Sequence, residues 1–174
     1  MKKNLSPFYG FIVGLVSTTV VWAGTGNVTT QFEVSVTIPP VCHSCVNVPN
    51  MYFGDYNPIS GSPAEIVNAI NVTCSAGVEY VVALDSGVNY SGGTYRHLVD
   101  PEGDGSNILQ YALYMDPDYK NLWGDGTSSH GAPYYGTGKG TTEILNVYGQ
   151  IPPNQIMAVG GKNYRDSITI ILSY

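Results

Sequence analysis

Apolar and polar side chains alternate one by one along most of this sequence, which is the period of a β-strand with one buried face. Glycine and proline, 21 and 11 of the 174 residues, interrupt the chain too often for long helices. Short strands separated by turns are typical of a β-sandwich, so we predict a single all-β domain. The predicted strands lie at 28–38, 51–56, 66–74, 78–84, 108–115, 144–151 and 168–174. The glycine-rich stretch 116–141 is predicted to be a long loop with at most one short edge strand.

Charge and motif patterns exclude several classes of function. The net charge is -6, and no cluster of Lys or Arg follows Lys2-Lys3, so a nucleic-acid partner is excluded. The series Asp100-x-Glu102-x-Asp104-Gly105 resembles the start of an EF-hand loop, but its twelfth position is Tyr111. We therefore expect a solvated acidic turn there, no metal site and no cofactor. The chain contains no G-x-S-x-G motif, and we predict no catalytic residue and no enzyme.

The first 23 residues have the order of a secretory signal peptide. A basic start is followed by a largely apolar run from Phe11 to Ala23 and by small residues before the expected cleavage point. A membrane-spanning helix needs about 20 apolar residues, more than this run supplies. We predict export after cleavage at Ala23, and no membrane span in the mature chain. The exported chain would reach an oxidising compartment, where cysteines form disulfide bonds.

The three cysteines predict one disulfide bond. Cys42 and Cys45 form a C-x-x-C pair, but prolines on both sides prevent the helix that a redox motif requires. A bond from Cys74 to either Cys42 or Cys45 is the structural alternative, and the spacing alone does not choose between them.

Both ends of the mature chain are apolar strands, although chain ends are normally polar and frayed. Only six predicted strands follow Cys45, and an immunoglobulin-like sandwich has a seventh strand after the sixth. We therefore expect an incomplete sandwich with an open groove beside its last strand. The groove edge is expected at Ile168, Ile170, Leu172 and Tyr174.

The first strand is the candidate to fill such a groove in a neighbouring molecule. Its apolar face consists of Val28, Phe32, Val34, Val36 and Ile38. Pro39-Pro40 disfavours a tight hairpin back onto the same molecule. Head-to-tail donation of this strand does not close on itself, so it would produce a fibre.

An ordered series of motifs resembles a known family. The series runs through Cys45, Met51-Tyr-Phe53-Gly54, Ile70-Asn-Val-Thr-Cys74, Leu84-Asp-Ser-Gly87, Arg96, Trp123-Gly-Asp-Gly126, Val147-Tyr-Gly149 and Tyr164-Arg-Asp166 to Tyr174. It is similar to the spore coat U domain of the archaic chaperone–usher (Csu-type) fimbrial pilins. The resemblance aligns Cys45 with the first cysteine of the family, which implies a Cys45–Cys74 bond with Cys42 as the alternative partner.

The resemblance also implies a function and its partners. It implies an immunoglobulin-like sandwich that lacks its last strand and is completed by donor-strand addition. The domains would be a signal peptide at 1–23, a donor strand at 24–41 and the pilin domain at 42–174. The partners would be identical or related pilin subunits, a periplasmic chaperone and an outer-membrane usher. The product would be an extracellular fimbria for adhesion and biofilm formation. The alternatives are a self-complemented secreted binding module and a surface or spore coat protein.

Overall fold

The computed structural model describes residues 26, 29–44, 48–127 and 129–174. The chain divides into two units, Met1–Thr37 and Ile38–Tyr174. Every regular element among the described residues is a β-strand, and all of these strands lie in the second unit. The predicted signal peptide falls outside the described residues. The strands are β1 (Cys42–Ser44), β2 (Ala64–Cys74), β3 (Glu79–Leu84), β4 (Arg96–Val99), β5 (Ile108–Tyr114), β6 (Tyr134–Thr137), β7 (Thr142–Ile151) and β8 (Ile170–Ser173).

The strands form two antiparallel sheets. The larger sheet has the order β1-β2-β7-β5-β4, and the smaller has the order β6-β3-β8. The longest pairing joins β2 to β7, from Ala64 opposite Ile151 to Thr73 opposite Thr142. The last strand, β8, pairs with β3 on one side only. This arrangement confirms the predicted all-β class and fits an immunoglobulin-like sandwich that is incomplete at its last strand.

The core lies between the sheets, as the alternation predicts. On β3, the side chains of Tyr80, Val82 and Leu84 are at most 2% exposed, whereas that of Glu79 faces solvent. Trp123 fills the space below β3 and donates its indole N–H to the carbonyl of Val82 at 2.9 Å. This bond anchors the glycine-rich loop to the smaller sheet.

Five of the six strands predicted after Cys45 are present with shifted ends, as β2, β3, β5, β7 and β8. The prediction of a strand at 51–56 was wrong. Gly54 has φ +73° there, which interrupts an extended strand. Residues 29–41 also lie outside any strand, so the described part of the predicted first strand pairs with no other strand of this chain.

Three short strands were not predicted individually. β1 and β4 are three and four residues long, too short to establish an alternation. β6 lies inside the stretch 116–141, where one short edge strand was allowed. Each of them pairs with a longer strand, so long-range contacts rather than local pattern determine them.

The disulfide bond joins Cys42 to Cys74, so the expected Cys45–Cys74 bond was wrong and the alternative partner is correct. β1 pairs with β2 in a register that places Cys42 directly opposite Cys74, with their Cα atoms 4.0 Å apart. A disulfide needs Cα atoms within about 7 Å, and each residue along a strand advances the chain by about 3.3 Å. The strand register therefore selects Cys42. Cys45 lies outside the described residues.

The acidic turn after β4 is exposed at Glu102 and Asp104, as expected, but not at its first residue. Asp100 is only 5% exposed. Its carboxylate lies 3.0 Å from the ammonium group of Lys162, and this contact lowers the pKa of Asp100. The ion pair ties the turn to the segment that leads into β8.

Candidate functional site: an open cleft beside the last strand

A cleft of about 1080 Å³ opens between the two sheets of the second unit. One wall is the irregular segment 48–56, and the other is the segment 158–170 that ends in β8. The floor is made of buried apolar side chains from both sheets. These side chains are Ile70, Leu84, Leu109, Tyr111, Leu113, Val147 and Ile151.

The first wall, the segment 48–56, packs against Gly149 of β7. A Cβ atom built at Gly149 would lie 2.5 Å from Met51 Sδ and 2.9 Å from Phe53 Cζ, so only glycine leaves room for these two side chains. Tyr56 donates its hydroxyl to the carbonyl of Pro152 at 2.7 Å. Asn68 donates its amide N–H to the carbonyl of Pro49 at 2.5 Å. These contacts hold the segment 48–56 without a β-ladder.

The second wall crosses from one sheet to the other. Within it, Arg165 exchanges two backbone hydrogen bonds of 2.8 and 3.0 Å with Val99, the last residue of the edge strand β4 of the larger sheet. Five residues later the chain pairs with β3 of the smaller sheet, with Ile170 opposite Leu84. The wall therefore closes one side of the sandwich and leaves the other side open.

The backbone of this wall offers a free strand edge. Asp85 donates its backbone N–H to Thr169 O at 3.1 Å, so Thr169 faces the smaller sheet. Because hydrogen-bonding direction alternates along a strand, the backbone groups of Ile168, Ile170 and Leu172 point away from β3. The side chains of these three residues are half-buried against the core. An edge of this kind can pair with an added strand.

The predicted groove-edge residues are thus placed as follows. Ile168 and Ile170 line the cleft, and Leu172 packs against the core next to them. Tyr174 is 63% exposed and lines a second concavity of about 770 Å³ together with Tyr80 and Tyr135. The residues thought to form one edge are divided between two surfaces.

The predicted donor side chains are exposed. Phe32, Val34, Val36 and Ile38 are 85, 82, 85 and 79% exposed, and Val28 lies outside the described residues. Large apolar side chains at every second position with this exposure are unusual in a folded protein. An exposed apolar stripe of this kind is typical of an interaction surface.

A buried arginine holds the floor at the end of the cleft where the wall crosses. Arg96 is 0% exposed and donates to three backbone carbonyls, those of Leu84, Asp85 and Trp123, at 2.9 to 3.2 Å. Burial lowers the pKa of this guanidinium. The carbonyl of Asp85 is occupied by Arg96, and the Asp85 carboxylate instead accepts the backbone N–H of Thr169 at 2.9 Å.

Asp166 forms a second polar anchor at the crossing. Its carboxylate accepts the hydroxyl of Tyr111 at 2.7 Å, and it accepts the backbone and side-chain N–H groups of Asn89 at 3.2 and 3.0 Å. Burial and the bond to Asp166 raise the pKa of Tyr111, so its hydroxyl stays protonated and donates. Asp85, Arg96 and Asp166 carried the family resemblance, but their hydrogen bonds could not be read from the sequence.

The described residues contain few groups suited to catalysis. Two Ser–His contacts, Ser91–His97 at 3.0 Å and Ser86–His130 at 3.4 Å, resemble nucleophile–base pairs. Both histidines are at most 5% exposed, and neither lines either concavity. The residues that the structure describes include no cluster of three or more metal-ligating side chains. No helix among them is long and apolar enough to span a membrane.

Residues 28–171 match the model of the Spore Coat Protein U domain. The chain belongs to this family. No curated protein matches it in sequence. Among solved structures it is similar to the CsuC–CsuE chaperone–tip adhesion subunit pre-assembly complex from archaic chaperone-usher Csu pili of Acinetobacter baumannii. The identity is 18% and the TM-score 0.54, over 79% of this chain and 40% of that chain. At that identity the similarity establishes a shared fold, and this Spore Coat Protein U domain spans less than half of the matched chain.

Proposed function

We propose that this Spore Coat Protein U domain is a structural subunit of an archaic chaperone–usher pilus that polymerises by donor-strand exchange. The observation that carries the proposal is the open cleft, because its floor is apolar and one wall presents an unpaired strand edge. The solved relative in an archaic pilus assembly complex supports the same class of function. The subunit is not an enzyme and needs no cofactor.

The donor is the segment 24–41 of a neighbouring subunit. Phe32 to Ile38 spans about 20 Å as a strand, which is enough to pair along the free edge from Ile168 to Leu172. Burial of five side chains, Val28 included, contributes about 1.5–3 kcal/mol each before ordering costs. Pro39-Pro40 disfavours a tight hairpin that would return the segment to its own domain.

The partners and the location follow from this mechanism. Identical or related subunits supply the strands in the fibre, a periplasmic chaperone fills the cleft before assembly, and an outer-membrane usher exchanges one for the other. Residues 1–23 direct export, and the product is a surface fimbria for adhesion and biofilm formation.

One observation favours a second candidate, a secreted binding module. Tyr135 and Tyr174, 71 and 63% exposed, border the second concavity beside the Lys139–Glu143 ion pair. A module of this kind would fill its own cleft and bind a ligand through these tyrosines. It would stay monomeric, which separates it from the pilin proposal.

The test is a charge on each face of the donor segment. Val34→Asp and Val36→Asp place a carboxylate on the apolar face and are expected to abolish fibres, because burial of an unpaired charge is costly. Capture by a chaperone is expected to persist in both variants, since the cleft is intact. Electron microscopy and chaperone pull-down measure the two outcomes.

The matched control is Ser35→Asp, which adds the same charge to the opposite face of the segment. Fibres are expected to form normally in this variant. Persistence of fibres in the Val34→Asp variant would exclude this segment as the donor.

A further inference from the structure

The chain segment that forms the second wall of the cleft changes sheets at Arg165 and Asp166. At Arg165 it is hydrogen-bonded to Val99 of the larger sheet, and from Thr169 onward it pairs with the smaller sheet. Because Ile168 and Ile170 follow the crossing directly, a shift of the crossing moves their free edge. Any group that holds the crossing therefore influences the width of the cleft.

Asp166 is held at this crossing from two directions. From the floor, Tyr111 donates its hydroxyl to Oδ2 at 2.7 Å, and Tyr111 is only 4% exposed. From the loop after β3, Asn89 donates twice to Oδ1 and once more to the carbonyl of Arg165, at 2.8 Å. Val88 also donates its backbone N–H to Ser167 O at 3.2 Å.

The loop approaches Asp166 so closely that only glycine fits beside it. A Cβ atom at Gly87 would overlap the carboxylate of Asp166, and Gly87 has φ +84°, which disfavours other residues. Gly87 also donates its backbone N–H to Asp85 Oδ1 at 3.0 Å. The Asp166 carboxylate is therefore enclosed between the floor of the cleft and the loop 86–89.

We propose that Asp166, held by Tyr111 and Asn89, is a positioning residue that sets the spacing of the cleft for an incoming strand. This inference rests on the proposed function, because it assigns a role in strand binding to a group that does not itself face the free edge. The Tyr111–Asp166 bond links the floor of the cleft directly to its wall, so breaking it lets the wall shift while the core stays packed.

The experiment measures how fast a bound strand leaves the cleft. The parent is the mature full-length chain with Val34→Asp and Val36→Asp, so that its own segment does not compete, loaded during refolding with a fluorescent peptide of residues 24–40. Excess unlabelled peptide is then added, and loss of fluorescence polarisation gives the release rate. Tyr111→Phe is expected to accelerate release about tenfold or more, because a hydrogen bond to a carboxylate is lost.

The matched control is Tyr80→Phe. Tyr80 is as buried as Tyr111, and its hydroxyl donates to the carboxylate of Glu143 at 3.0 Å, but it does not line the cleft. Both substitutions are expected to lower the thermal midpoint of the loaded complex, whereas Tyr80→Phe should leave the release rate within about twofold of the parent. Asp166→Asn keeps an oxygen for the Tyr111 hydroxyl, so it should release the peptide more slowly than Asp166→Ala.

The outcomes are separable. Equal release rates in the parent, Tyr111→Phe and Asp166→Ala would overturn the positioning role and leave the proposed function intact. Equal acceleration by Tyr80→Phe would also overturn it, since general destabilisation would then explain the effect. Failure of the parent to retain any peptide would overturn the proposed function, and the role of Asp166 with it.

Discussion

Buried polar side chains form hydrogen bonds with backbone groups at the open end of this sandwich. Arg96 occupies the carbonyl of Asp85, and the Asp85 carboxylate then accepts the N–H of Thr169 in place of that carbonyl. In each case a side chain takes the place of a backbone hydrogen-bond partner, and a group that burial would otherwise leave unpaired is satisfied. Upstream of β8, the contact with the smaller sheet therefore continues through both backbone and side-chain hydrogen bonds.

The disulfide makes a prediction at the residue scale. Cys74→Ser opens the bond to Cys42, which lies 32 residues away in sequence. The free energy of unfolding of the peptide-loaded chain should fall by about 3–4 kcal/mol, because the unfolded chain regains the entropy of an open loop. Denaturant unfolding measures this change.

Cys45→Ser is the control and should leave the stability unchanged. If Cys45→Ser were as destabilising as Cys42→Ser, the bond between Cys42 and Cys74 would be contradicted. Peptide mapping without reduction would identify the bonded pair directly.

A buried histidine predicts a dependence of stability on pH. His130 is 1% exposed, its ring centre lies 4.4 Å from that of Tyr90, and burial together with the charge of Arg96 lowers its pKa below 6.5. Between that lowered pKa and 6.5 the unfolded state binds more protons than the folded state, so stability falls as the pH falls below about 6.5. The thermal midpoint should therefore decrease from pH 7 to pH 5.

His130→Gln should flatten this decrease, because glutamine does not titrate. His43→Gln is the control, since His43 is exposed on β1, and it should keep the parent slope. Carboxylates whose pKa is lowered, Glu143 among them, lose their contribution only at more acidic pH, so they do not mask the effect. An unchanged slope in His130→Gln would contradict the prediction.

At the scale of the elements, the two walls of the cleft are held by different kinds of contact. The wall at 158–170 is held by strand pairing and by Asp166, whereas the wall at 48–56 rests on Gly149 and a few side-chain bonds. The first wall could not be placed from the sequence. Its apolar residues favour a strand, but the glycine that seats it is about a hundred residues away in the chain.

Gly149→Ala tests the contact between Gly149 and the wall at 48–56. The added methyl group would meet Met51 and Phe53, and the resulting overpacking should lower the free energy of unfolding by about 1–3 kcal/mol. Gly160→Ala is the matched control, because a Cβ at Gly160 meets nothing within 4 Å, and its effect should be small. Equal stabilities of the two variants would mean that the wall does not rest on Gly149.

The strands that could be predicted lie in stretches of alternating sequence. β2, β3, β5, β7 and β8 each carry an alternation that marks their buried face, and that pattern is a property of the local sequence. β4 carries two buried polar residues, Arg96 and His97, in four positions, so its pattern contains no hydrophobic signal at those sites. Only its pairing with β5 makes it a strand.

At the scale of the whole molecule, the proposed function makes stability depend on a second chain. The mature chain without residues 24–38 is expected to lack a sharp thermal transition, because the cleft stays unfilled. Addition of a peptide of residues 24–40 should restore the transition by binding the folded state. Differential scanning calorimetry measures both states.

The control peptide carries Val34→Asp and Val36→Asp and should not restore the transition. A stable, soluble monomer in the absence of residues 24–38 would favour the secreted binding module instead.

The local sequence determined the all-β class, the buried faces of the longer strands and the apolar stripe from Phe32 to Ile38, since alternation and turn residues act between near neighbours. Tertiary structure alone decided that Cys42 bonds to Cys74, that Arg96 and Asp166 anchor the crossing, and that Gly149 carries a wall of the cleft. These outcomes depend on which residues face each other across sheets. That register is set by pairings between distant parts of the chain, which no local pattern contains.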